Sequence, residues 1–97
     1  MMAQATLRLF VTGGTPLSAA AVARLRELEQ QLPPDYLSAE IIDVLQNPDF
    51  AEADRVLATP TLIRLSPLPM IRLVGDLESV DRLMQLLDLL QTPPQVN

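Results

Sequence analysis

The sequence of 97 residues predicts one α/β domain with elements in the order βαβαββα, and three observations carry that reading. Residues Thr6 to Thr12 alternate with period two, a stretch of helical spacing follows Thr15-Pro16, and two short apolar runs flank Ser66-Pro67-Leu68-Pro69. A chain of this size supports a single core, so residues 1–97 are read as one domain, with 1–5 and 92–97 expected to fray.

The first strand sets Leu7, Leu9 and Val11 against Thr6, Arg8, Phe10 and Thr12 and ends at Gly13-Gly14. Thr15 or Ser18 can cap the helix that Pro16 opens, in which Leu17, Ala21, Val22, Leu25, Leu28 and Leu32 recur at steps of three and four. Pro33-Pro34 stops it, because proline has no amide donor and disfavours helix in the residue before it. Leu37 to Val44 reads as a second, more buried strand, and a helix of this length between two strands suits a parallel crossover.

Asn47-Pro48 provides a cap and a first helical residue, Asp49 and Glu52 place negative charge in the first turns, and a short helix is expected from Pro48 to about Leu57. Phe50, Ala53 and Leu57 form its apolar side, and Thr59-Pro60 breaks it. Thr61 to Leu65 and Met70 to Val74 form an antiparallel hairpin, with Arg64 and Arg72 pointing to at least one wet face. Gly75-Asp76 turns the chain, Ser79 caps a last helix with Val80, Leu83, Met84, Leu87 and Leu90 as its stripe, and Thr92-Pro93-Pro94 ends it. This order is that of a thioredoxin-like fold, in which Thr59-Pro60 stands where a cis-proline precedes the third strand.

Seven basic residues against twelve acidic ones give a net charge of −5, which argues against nucleic-acid binding. The absence of cysteine and histidine removes disulfide and thiolate chemistry and the commonest acid/base group and metal ligand. No secretory pattern opens the chain and no apolar run approaches the roughly 20 residues that span a bilayer, so a cytoplasmic protein without a membrane partner is expected. Where thioredoxin-like redox enzymes carry Cys-X-X-Cys at a helix N-terminus, this chain has Val11-Thr12-Gly13-Gly14-Thr15-Pro16. Gly13-Gly14-Thr15 lacks the lysine and glycine spacing of a phosphate loop, and Asp49, Glu52 and Asp54 lack calcium-loop spacing. Asp43 is read as capping or pairing with a nearby amide or arginine, and Arg55, Arg64 and Arg72 are read equally well as lining one surface or as solvated strand and helix positions. No acid, base and nucleophile converge, so neither an enzyme nor a cofactor is expected.

Ile41-Ile42-Asp43-Val44-Leu45-Gln46-Asn47-Pro48, then Ala51-Glu52, Ala58-Thr59-Pro60-Thr61-Leu62, Gly75-Asp76-Leu77 and Leu87-Asp88-Leu89-Leu90, together resemble the KaiB family of circadian clock proteins. Leu7 to Val11 and Gly13 to Pro16 extend the resemblance over nearly the whole chain. It implies a non-enzymatic adaptor that docks on the ring of a KaiC-type ATPase, modulates its phosphorylation cycle, competes with the SasA kinase and helps sequester KaiA. It also implies two folds, a thioredoxin-like monomer and an oligomeric ground state, dimeric or tetrameric, with a rearranged C-terminal half. Pro60, Pro67, Pro69, Leu86 and Asp88 are the positions it ties to that rearrangement.

The resemblance places partner contacts on the second strand and second helix, at Ser38, Glu40, Ile42 and Arg55. Arg55 matches a basic residue of the family, whereas Glu40 stands where members often carry a base, and a reversed charge at a desolvated interface costs several kcal/mol. Leu86 stands where members often carry glycine, a difference of roughly 0.8–1 kcal/mol in favour of helix. Ser66-Pro67-Leu68-Pro69 is closer to the turn of the SasA sensor domain than to the Pro-Pro-Pro turn typical of KaiB. The mixture fits a paralogue serving a divergent KaiC or another partner, and the rival reading is a SasA-sensor-like or stress-signalling interaction module without a clock role.

Overall fold

The structure is a computed structural model and describes residues 3–89. Its elements are β1 (Ala5–Val11), α1 (Pro16–Gln31), β2 (Leu37–Asp43), α2 (Pro48–Ala53), β3 (Thr61–Ser66), β4 (Ile71–Val74) and α3 (Val80–Leu86). They build one sheet in the order β2-β1-β3-β4, with β1 parallel to β2 and antiparallel to β3, and β3 antiparallel to β4. This is the expected βαβαββα arrangement.

Alternation along β1 decides which side chains meet which helices. Ala5, Leu7, Leu9 and Val11 form the larger core with Ala21, Leu25, Leu28 and Leu32 of the first helical segment, Leu62 of β3, and Val80, Leu83, Leu87 and Leu89 of the last. On the other face Phe10, Ile42 and Ile63 form a smaller cluster with Val44, Val56 and Leu65. The caps follow the sequence in two of three helices: the Thr15 hydroxyl accepts from the Ser18 amide, and the Ser79 hydroxyl accepts from the Arg82 amide. Asn47 instead uses its side-chain amide to donate to the Asp43 carbonyl at 3.1 Å, so α2 starts without a side-chain cap.

Several expectations are corrected. Ala5, within the stretch expected to fray, is buried in β1 and opposes Leu37, and its amide bonds the Tyr36 carbonyl at 3.0 Å. The expected fraying of 92–97, Leu90 of the helical stripe and the Thr92-Pro93-Pro94 stop lie outside the described residues. Strand β2 is an edge strand in which Ile42 alone is buried, because nothing pairs its outer side and only one short helix covers its α2 face. Leu17 is exposed, since it sits in the first turn of α1 beyond the end of the sheet-facing stripe.

Helix α2 stops at Ala53, short of Leu57, and buries none of its residues. Asp54 follows it, and Arg55 takes φ 54°, so the Val56 amide reaches back to the Ala51 carbonyl at 2.8 Å and the Arg55 amide to Glu52 at 3.1 Å. That pair of bonds is the left-handed helix stop usually made with glycine. Phe50 is half exposed and Leu57 is 97% exposed, so neither belongs to the core. Helix α3 ends the same way after Leu87, with Asp88 at φ 56°, the Leu89 amide on Met84 and the Asp88 amide on Gln85. Arg64 is not on a wet face. It is 3% exposed and donates to the carbonyls of Leu87 and Pro69, both at 2.7 Å, beneath the end of α3.

Candidate partner-docking site

Strand pairing brings the residues of one sheet face into rows. Glu40 opposes Arg8, Arg8 opposes Ile63, and Ile63 opposes Arg72, so four side chains from four strands lie in a line across the face that α2 covers. Arg8 Nε donates to Glu40 Oε1 at 2.5 Å, and Arg8 Nη1 donates to Asp54 Oδ2 at 2.8 Å. These two carboxylates, Asp54 foremost and Glu40 next, hold the guanidinium pKa above its usual value. The same guanidinium carbon lies 5.9 Å from the centroid of the Phe50 ring. From the far end of the row Arg72 donates to the Asp54 carbonyl at 2.6 Å and to the Arg55 carbonyl at 3.4 Å.

Of the four contact residues taken from the sequence, Ser38, Glu40 and Ile42 share one face of β2, as positions two apart must. They differ in access. Ser38 and Glu40 are exposed, while Ile42 is 7% exposed beneath α2 and supports the face rather than offering a contact. Glu40 is held in its ion pair with Arg8, so the base expected by resemblance is replaced by an acid with an internal partner. Arg55 is exposed at the left-handed stop of α2, and no described residue receives its guanidinium. The three arginines read as one surface separate into a buried one, Arg64, a tied one, Arg72, and a free one, Arg55.

Arg55 lies on a cleft of about 680 Å³ between α2 and the segment leading to Pro60, lined by Val44, Pro48, Ala51, Val56, Ala58 and Thr59 among others. The exposed side chains of Leu45, Phe50 and Leu57 belong to α2 and the segments that frame it. The cleft also carries Glu52, so an acid and the free Arg55 cation share its lining, and the apolar depression suits a partner that inserts an apolar side chain.

The β1–α1 loop is built for turning. Its Thr12 hydroxyl bonds that of Thr59 at 2.6 Å, and the Thr15 hydroxyl donates to the Thr12 carbonyl at 2.8 Å. Ser18 Oγ accepts the Thr12 amide at 3.0 Å. Asp43 Oδ1 accepts the Leu45 amide at 2.9 Å, in line with the capping role. A methyl at Gly13 would run into Asp43 Oδ2, so a side chain there has to displace that carboxylate, while Gly14 takes φ 85°, which favours glycine. Among the described residues no three Asp or Glu side chains gather as metal ligands.

The positions tied to rearrangement are spread over the C-terminal half. Thr59-Pro60, Ser66-Pro67 and Leu68-Pro69 are cis, with Pro60 buried and Pro67 and Pro69 exposed. Leu86 is the last residue of α3 and is 39% exposed, and Asp88 makes the left-handed stop beyond it. Sequence reading passed over Arg8 and Asp54, although period two places Arg8 on the same face of β1 as Phe10, and a parallel pairing of β1 with β2 places it opposite an acid.

Comparison with known proteins fits this picture. The family model described as "KaiB domain" matches residues 8–89. A circadian clock oscillator protein KaiB of Prochlorococcus marinus is 45% identical over 84 residues, covering 87% of this chain and 72% of that protein. KaiB of Synechococcus elongatus is 42% identical over 84 residues, covering 87% and 82%. Among solved structures, the N-terminal domain of Synechococcus elongatus SasA superposes with a TM-score of 0.65 at 24% identity, covering 96% of this chain and 91% of that one. Mitochondrial thioredoxin 3 from Saccharomyces cerevisiae gives a TM-score of 0.71 at 22% identity, covering 89% and 79%. The structures share the thioredoxin-like fold, the sequence matches go further, and the chain belongs to the KaiB family.

Proposed function

We propose that the chain is a non-enzymatic regulatory adaptor of the circadian-clock type, which binds the ring of a KaiC-type ATPase in the cytoplasm and modulates its phosphorylation cycle. The observation that carries this reading is the match of residues 8–89 to the KaiB domain, supported by 45% identity to a clock oscillator protein. The α2 face, with Ser38, Glu40 and Arg55 accessible and Ile42 beneath, is the contact region. KaiA-like or SasA-like proteins are the further partners. A second, oligomeric fold with a rearranged C-terminal half is in equilibrium with the thioredoxin-like monomer, and a partner moves that equilibrium by its differential affinity for the two states. Pro60, Pro67, Pro69, Leu86 and Asp88 are the residues proposed to set its position. No described helix is long and apolar enough to cross a membrane.

One observation favours a second reading. Glu40 is engaged by Arg8 at the place where a base would meet a standard KaiC, which suits a divergent ring or a different signalling partner. Size-exclusion chromatography with light scattering separates the two, run on the protein alone and with the KaiC-type ATPase of the same cell in phosphorylated and unphosphorylated states. Co-elution with the ring is the expected outcome. Separate elution in both states removes the ring-binding reading and leaves the interaction module without a clock role.

A further inference from the structure

Helix α2 has six residues and buries none of them, so apolar packing of its own side chains does not fix it on the sheet. Polar ties reach its C-terminal end from two strands instead. Arg8 on β1 takes the Asp54 carboxylate and lies against Phe50, and Arg72 on β4 takes the carbonyls of Asp54 and Arg55. Both guanidiniums therefore close on the two residues that make the left-handed stop, one of which is Arg55 itself.

We propose that Arg8 and Arg72 are positioning residues, a clamp that holds the Asp54–Arg55 turn so that the free Arg55 guanidinium is presented at the mouth of the α2 cleft. The proposal rests on the reading of Arg55 as a partner contact, and it adds how that contact is held. Three features favour a clamp over a second pair of contacts. Arg8 spends Nε on Glu40 and Nη1 on Asp54, so both carboxylates it meets belong to this chain. Arg72 spends its donors on main-chain carbonyls, which persist whatever side chain follows Asp54. Arg55 occupies a backbone region that a non-glycine residue leaves readily unless neighbouring bonds hold it. Glu40 acts at one remove, by orienting Arg8 towards Asp54.

Two measurements test the clamp. The first is amide hydrogen exchange at Val56, whose bond to the Ala51 carbonyl closes the stop. Arg8→Met keeps the apolar stem and removes the donors, and Asp54→Asn keeps the shape and removes the charge. Each is expected to speed Val56 exchange about tenfold while the amides of β1 and β3 stay at their original rates. The second is affinity for the KaiC-type ring in a double-mutant cycle. If Arg8 works through Arg55, Arg8→Met weakens binding alone but adds nothing in an Arg55→Ala background. Unchanged Val56 exchange in both variants overturns the clamp. So do additive losses in the cycle, since they would make Arg8 a contact in its own right. Failure of the unaltered protein to bind the ring overturns the adaptor reading instead, and the exchange measurement then decides the clamp without it.

Discussion

Replacing Arg55 by glycine separates stability from docking. At φ 54° the residue sits where an L side chain crowds the following carbonyl, at a cost of about 1–2 kcal/mol that glycine avoids. Glycine in turn brings about 0.5–1 kcal/mol of extra freedom to the unfolded chain. At the middle of these ranges the difference leaves Arg55→Gly about 0.75 kcal/mol more stable, which for a domain of this size raises Tm by roughly 3–6 °C. The carbonyl that Arg72 reaches and the amide bonded to Glu52 both belong to the main chain, so the turn survives the change. Arg55→Ala is the control, because it removes the same guanidinium and keeps the backbone strain. Thermal and urea unfolding of the three proteins, followed by ring binding, should give a glycine variant that melts highest and binds as poorly as the alanine variant. The reasoning is refuted if Arg55→Gly melts below Arg55→Ala, or if it binds as tightly as the unaltered chain.

Gly13→Ala forces its new methyl against Asp43 Oδ2 and should cost about 1–3 kcal/mol in urea unfolding, with much of the loss recovered in the double variant with Asp43→Ala. Arg64→Met leaves the Leu87 and Pro69 carbonyls without their buried donor, and a loss of about 2 kcal/mol is expected, together with faster amide exchange in the last turn of α3. Leu86→Gly weakens the end of α3 by about 0.8–1 kcal/mol, so NMR should show a larger share of any second fold in the variant. A secondary-structure map of the unaltered chain with strand across Leu83 to Leu89 would defeat the assignment of α3 as the preferred state.

The order of elements was legible because its signals are local. Period two in β1, the threonine and serine caps of α1 and α3 and the breaks at Pro33 and Pro60 each depend on a few neighbouring residues. What was missed depends on partners distant in sequence. Arg64 looks like a solvated strand residue until the end of α3 is folded over it, and Leu57 looks like the next apolar position of a helix that Arg55 has already ended. The burial of β2 was overestimated because an apolar run does not reveal whether its strand is central or at an edge. For the candidate site, Arg55 and the β2 face were visible through family resemblance, whereas Arg8 and Asp54 required strand register and the helix stop together.

Sheet order divides the molecule unevenly. Strand β1, helix α1 and strand β2 form a parallel unit closed by its own pairing, and the rest of the chain joins it along one seam, β1 against β3, with helix α3 resting on α1. That seam carries its own irregularity: Thr6 opposes Ser66 and Leu7 opposes Arg64, which leaves Leu65 out of step. Opening that line of hydrogen bonds would free β3 from the sheet only together with the core it shares, since Leu62, Val80, Leu83 and Leu87 pack with β1 and α1 and Arg24 holds the Leu77 carbonyl. The sheet has a tear line fastened by that core, and it runs beside the strand that carries Arg64.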